Sequence, residues 1–143
     1  MNRPRYVRRR DVENEIRVLK RFSNLIPAKT REIIQMGGDY DGKIIIDGKL
    51  SCICEVKGRT GTGDRFETWH IARSKLDRCV THAAFMRVPL FLIFTWDTDD
   101  FFWNVKDHEK LPVREGGRWD RGDRHDVEPM TDIPRVLFKK IPA

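Results

Sequence analysis

Asp41, Glu55 and Lys57 have the side-chain types and spacing for chemistry on a charged ester. They bracket two apolar runs, Ile44-Ile45-Ile46 and Leu50 to Val56, on either side of Asp47-Gly48. Asp-Gly between apolar runs is a strong hairpin signal. Two carboxylates brought together at such a hairpin hold a hard divalent cation, which prefers oxygen ligands. The cation polarises a phosphoryl oxygen and acidifies a bound water, while an adjacent ammonium steadies the attacking water or the developing charge. That is the equipment for phosphodiester hydrolysis.

Two registers are open to the hairpin. A two-residue loop pairs Ile46 with Lys49 and sets Asp41 opposite Cys54, leaving Glu55 on the other face. A three-residue loop pairs Ile46 with Leu50 and Asp41 with Glu55. One face then reads Ile44, Ile46, Leu50, Cys52, Cys54 and Val56, and the other carries Asp41, Glu55 and Lys57. A slip of one residue turns every side chain over, so the register that buries a clean apolar set is the expected one. The three-residue loop meets that condition. Carboxylates so close repel unless a cation lies between them.

The elements that must position this set follow from periodicity. From Asp11 to Ile26, Val12, Ile16, Leu19, Phe22 and Ile26 recur at helical spacing, with Asp11 as cap and Pro27 as stop. Glu15 falls inside that apolar stripe, whereas Glu13 points away. A carboxylate on a buried face needs a partner. The alternative is a stripe-edge residue reaching water or pairing with an arginine such as Arg8. Residues 31–36 read as a first strand. Residues 58–65 form a Gly-rich loop that lacks the Gly-Lys-Ser/Thr ending of a nucleotide-binding loop. It is either a mobile segment whose Arg59 and Arg65 touch a nucleic-acid backbone or a plain connection. Residues 66–86 are expected as a second helix with Trp69, Ala72, Leu76, Cys79, Val80 and Ala83 on one face. Residues 90–96 and 101–106 are expected as neighbouring strands, 114–126 as a polar loop, and 135–141 as an edge strand.

The 143-residue chain has a formal net charge of +6, and its first ten positions hold Arg3, Arg5, Arg8, Arg9 and Arg10 with no acid. Such an arm suits phosphate contact, though a solubilising terminus has the same composition. The expected organisation is a basic arm over 1–10 and one domain over 11–143. No apolar stretch follows the charged start, so no signal peptide is expected. The longest apolar run, Val88 to Phe94, contains Pro89 and is too short to span a bilayer. The odd count of three cysteines suits a reducing cytoplasm. Cys52, Cys54 and Cys79 fall on apolar faces, where free cysteines behave as small hydrophobes rather than zinc ligands.

Over roughly residues 11–106 the chain resembles the PD-(D/E)xK nuclease superfamily. Tyr40-Asp41-Gly42 stands where that family has Pro-Asp, and Glu55-Val56-Lys57 stands as its Glu-x-Lys; Tyr40 in place of the proline is a departure. The resemblance implies an α/β fold with a restriction-endonuclease-like core (αβββαβ), a mixed central sheet flanked by helices. It implies a Mg²⁺- or Mn²⁺-dependent DNA endonuclease of viral or bacterial type. Asp41, Glu55 and the carbonyl of Val56 would ligate the cation, Glu15 would bind it through water or hold a second ion, and Lys57 would position the attacking water. A further polar residue on the second helix is common in the superfamily, with Lys75 and His70 the candidates if they are not ordinary surface residues. Arg5, Arg8, Arg9, Arg10, Arg59, Arg65 and Lys75 are the candidate nucleic-acid contacts. Family analogy adds branched or junction DNA as substrate, a homodimer, and the cytoplasm of a bacterium or phage-infected cell. RNA stays open, since nothing in the sequence reads a 2′-hydroxyl. A non-catalytic nucleic-acid-binding or phage structural module on the same scaffold is the alternative.

Overall fold

Val18, Leu19 and Phe22 are buried on one side of α1 (Arg9–Ser23) and meet Ile44, Cys52, Cys54 and Ile93 of a sheet. This comes from a computed structural model that describes residues 9–117 and 127–143. The helix already includes Arg9, so Asp11 lies within it rather than capping it. It ends at Ser23, and Leu25 and Ile26 complete one further turn before Pro27.

The sheet has six strands in the order β1-β2-β3-β5-β6-β9. These are β1 (Arg31–Gln35), β2 (Gly42–Ile46), β3 (Lys49–Gly58), β5 (Leu90–Thr95), β6 (Asp100–Asn104) and β9 (Lys139–Lys140). Only the β3–β5 pairing is parallel. Parallel strands need a covered crossover, supplied by β4 (Thr68–Ala72) and α2 (Arg73–Met86). Its second face packs Ile53, Leu90, Leu92 and Phe94 against Leu76, Cys79 and Ala83 of α2. Burial on both faces explains the almost unbroken apolar run of β5. Among the described residues no helix is long and apolar enough to cross a membrane.

The hairpin corrects the expected register while keeping its consequence. Ile46 pairs with Lys49, a two-residue turn in which Asp47 (φ 49°) and Gly48 (φ 80°) are both left-handed. That is the primed turn that Asp-Gly favours, and the Asp47 carboxylate accepts the Lys29 and Thr30 N–H groups. Between Ile45↔Leu50 and Ile44↔Cys52 the register shifts, leaving Ser51 as an extra residue on β3. This bulge restores the alternation beyond it, so Ile44, Cys52 and Cys54 face α1.

The larger correction lies in residues 66–86, where the helix occupies only Arg73–Met86. Trp69 and Ile71 are instead alternate, buried positions of β4. β4 belongs to a second sheet of order β4-β8-β7, with β7 (Val113–Gly117) and β8 (Val127–Pro134). Part of the expected polar loop is therefore β7; residues 118–126 lie outside the described residues. Within 135–141, only Lys139–Lys140 forms the edge strand.

Candidate active site

β2 begins where the hairpin carries its carboxylates. Gly42 pairs with Cys54, and α1 crosses so closely that a Cβ on Gly42 would stand 2.9 Å from Leu19 Cδ1. One residue earlier Asp41 leaves the regular ladder. Its N–H donates to Cys54 O at 3.0 Å, and its Oδ2 accepts the Val56 N–H at 2.8 Å. The carboxylate thus replaces the next rung of the sheet, which fixes its direction along the edge of β3. Tyr40, at the position of the family's proline, anchors the chain just before it: its ring is buried against the α2 side of the sheet.

Glu55 is 2% exposed and within hydrogen-bonding reach of the Asp41 carboxyl. Lys57 Nζ lies 3.3 Å from Glu55 Oε2, and Lys75 Nζ, from the first turns of α2, lies 3.7 Å from Oε1. Lys75 also donates to Gly38 O at 3.2 Å, tying α2 to the turn that leads into Asp41. Burial, then the charge of Asp41, push the Glu55 carboxyl up to about 8, and the two ammonium groups do not outweigh them. Glu15 approaches from α1, one turn before Leu19, and its Oε1 accepts from Gln35 Nε2 at 3.2 Å. Burial and the nearby Asp41 raise its carboxyl as well, against that hydrogen bond. The charge of Asp41 thus disfavours ionisation of both Glu15, from α1, and Glu55, from β3, a conflict that a bound cation would relieve.

The donors present fit such an ion. Glu55 Oε1 is buried without a hydrogen-bond partner among the described residues, an arrangement that is costly for a carboxylate unless something binds it. Among the described residues no group of three or more His, Cys, Asp or Glu side chains is placed to hold a metal. The set is Asp41 and Glu55, with the Val56 peptide on the same strand edge. Magnesium, which keeps several waters and uses one or two carboxylates, suits so sparse a site.

The other expected residues divide. Lys75 joins the site through Glu55, and Gln35, which had no signal in the sequence, joins it through Glu15. His70 does not: it is on β4, not on a helix, and its partners are Arg59, Arg114 and Asp132. The loop 58–65 is tied down at both ends, with Gly61 N–H on Asp97 Oδ2 at 2.7 Å and Asp64 O accepting from Arg135. Arg65 ends a short 3₁₀ turn in that loop and is exposed. Arg5 and Arg8 lie outside the described residues; Arg9 and Arg10 begin α1. Cys52 and Cys54 face α1 while Cys79 faces the opposite side of the sheet, so the three thiols do not converge. Burial and Glu55 hold the Cys79 thiol up at about 12.

Residues 1–141 match the family described as "Phage putative PDDEXK endonuclease". No curated protein matches the chain. Among solved structures it is similar to Hjc, a Holliday junction resolvase from the archaeal hyperthermophile Archaeoglobus fulgidus, with TM-score 0.57 and 12% identity over 92% of this chain and 89% of that one. At that identity the likeness is one of fold. It agrees with the mixed sheet flanked by helices expected from the sequence.

Proposed function

The chain belongs to the phage PD-(D/E)xK endonuclease family, and from that premise we propose that it is a Mg²⁺- or Mn²⁺-dependent endodeoxyribonuclease selective for branched DNA. The observation that carries the reading is the meeting of Asp41 and Glu55 at the open end of the hairpin, with a buried Glu55 oxygen that accepts no hydrogen bond among the described residues and two ammonium groups beside it. Asp41, Glu55 and the Val56 carbonyl would hold the ion, with Glu15 acting through water or a second ion. When bound, the cation supplies Lewis acidity to a phosphoryl oxygen and lowers the pKa of a water.

The protein's own groups do the rest. The Val56 N–H holds the Asp41 carboxylate at the edge of β3, where it would face the ion. Lys57 donates to the attacking water and holds it in line with the leaving O3′. As the water oxygen bonds to phosphorus it releases a proton to solvent, the P–O3′ bond breaks with its electron pair on O3′, and O3′ takes a proton from solvent. The products are a 5′-phosphate and a 3′-hydroxyl. Lys75 keeps Glu55 in place and offsets charge gathering on the phosphoryl oxygens. Arg59, Arg65 and the basic arm, Arg5 and Arg8 to Arg10, track the DNA backbone.

Branched DNA is the first substrate to try because the similar fold is that of a protein named for resolving Holliday junctions, and because no sequence-reading module is evident. A two-fold homodimer acting in the cytoplasm of a bacterium or phage-infected cell accords with such a substrate. Junction, flap, single-stranded and duplex DNA, with an RNA control, incubated with Mg²⁺, Mn²⁺ or EDTA, test the proposal. Cleavage of junction DNA that stops in EDTA is expected. Lys57→Ala should lower the cleavage rate about 10²–10³-fold while DNA binding persists. Binding without cleavage of any substrate in either metal would make the protein a binding module instead.

A further inference from the structure

Glu55 and Lys57 lie on one face of β3, about 7 Å apart along the strand, and Arg59 follows the strand's last residue, Gly58. Lys57 pairs with Phe94 of β5, and the Arg59 guanidinium lies 5.2 Å above the Phe94 ring. Here a cavity of 160 Å³ opens, walled by Phe66, Trp69, Phe94 and Trp96, with Arg59 and His70 also in its lining. Phe66 is 50% exposed and lies stacked at 25° to the Trp96 ring, with centroids 5.9 Å apart. Phe94, which lines the cavity, is the strand neighbour of Lys57.

Two properties define what it would take. Its walls are flat π surfaces, and an exposed phenyl ring beside them leaves apolar area unpaid by packing. Its lining includes the Arg59 guanidinium, whose charge burial disfavours and which pairs with no carboxylate among the described residues; the guanidinium donates to the Gly58 and His70 carbonyls. A ligand with a planar ring and an attached anion answers both. The volume bears on the ring: a cavity of about 150 Å³ holds one benzene, so a single pyrimidine ring fits it.

We propose that this cavity receives one unstacked pyrimidine base of the DNA strand being cut, the base adjoining the scissile phosphate, with Arg59 on the neighbouring phosphate. The inference rests on the nuclease reading and adds to it a preference for substrates in which that nucleotide is unpaired. Extruding a base costs least where it is already single-stranded or mismatched, so the pocket favours junctions, bulges and single-stranded gaps over plain duplex.

The test compares, in EDTA, binding of a duplex with one bulged thymine, the same duplex with an abasic nucleotide in the bulge, and one with a bulged adenine. Stacking of one base against an aromatic platform predicts about 5- to 150-fold tighter binding of the thymine bulge than of the abasic one, with adenine close to abasic. Tryptophan fluorescence should be quenched by the thymine bulge alone. Phe66→Ala, at a half-exposed position where the fold tolerates truncation, should bring the thymine-to-abasic ratio to about one. With Mg²⁺ added, the cut should map next to the bulged thymine. Equal affinity for thymine and abasic bulges, in a protein that still cuts branched DNA, overturns the pocket and leaves the nuclease standing. Failure to bind or cut any of these DNAs overturns both.

Discussion

Replacing Glu55 with glutamine should stabilise the metal-free protein at pH 8 and leave it almost unchanged at pH 5. In the unfolded chain this carboxyl titrates at 4.5, and in the fold at about 8, because burial and then the Asp41 charge oppose ionisation. A raised carboxyl binds its proton more tightly in the folded state. Its stabilising contribution is therefore intact below pH 4.5 and drains away as pH rises toward 8. At 1.36 kcal/mol per unit, less the rounding near each end, the loss between pH 5 and pH 8 is about 3 kcal/mol. Glutamine has no such titration, so the variant should overtake the wild type by that amount at pH 8, roughly 10 °C in melting temperature for a chain of this length. Urea denaturation in EDTA at the two pH values measures it. Saturating Mg²⁺ should restore the wild type at pH 8, since an ion that binds only the folded state stabilises it, and should do little for the variant. Parallel stability curves for the two proteins in EDTA would refute the reasoning, because Glu55 would then carry no buried, unscreened charge.

Two further substitutions probe the scaffold. Asp100 is buried and receives hydrogen bonds from Arg17, Arg21 and Thr95. Burial alone would raise its carboxyl, but those bonds and the two guanidinium charges hold it below the usual aspartate value. Asp100→Asn should cost about 2–3 kcal/mol near neutral pH, with the difference from wild type shrinking as acid drops below about pH 4, read by urea denaturation. A Cβ on Gly63 would stand 2.5 Å from Trp69 Cζ2 and 2.9 Å from Trp96 Nε1, so Gly63→Ala should lose about 1–3 kcal/mol in the same assay by forcing the pocket wall apart.

The readable part of this protein was local. Asp41, Glu55 and Lys57 lie within one hairpin, so a turn signal and a two-residue period suffice to bring them together, and the stripe containing Glu15 and Leu19 orients α1 in the same way. Even there the mechanism differed: the Asp-Gly turn took its favoured two-residue form, and the bulge at Ser51 supplied the missing step. Residues 66–86 show where periodicity stops deciding. Trp69, Ala72 and Leu76 fit a helix, while Trp69 and Ile71 fit a strand. Only pairing with β8, whose Ile133 and Thr131 stand opposite those two residues, selects the strand.

The amino-acid order by itself determined the carboxylate pair, its lysine, and the apolar faces that bury the hairpin, because neighbours in a hairpin or helix are neighbours in space whatever the rest of the chain does. Lys75 beside Glu55, Gln35 on Glu15 and the aromatic cavity lined by Phe94 were decided by tertiary structure alone. The first and last depend on the crossover from β3 to β5 laying α2 and β4 over one face of the sheet, the second on α1 docking beside β1, and contacts made by docking separate elements leave no period in the sequence to be read.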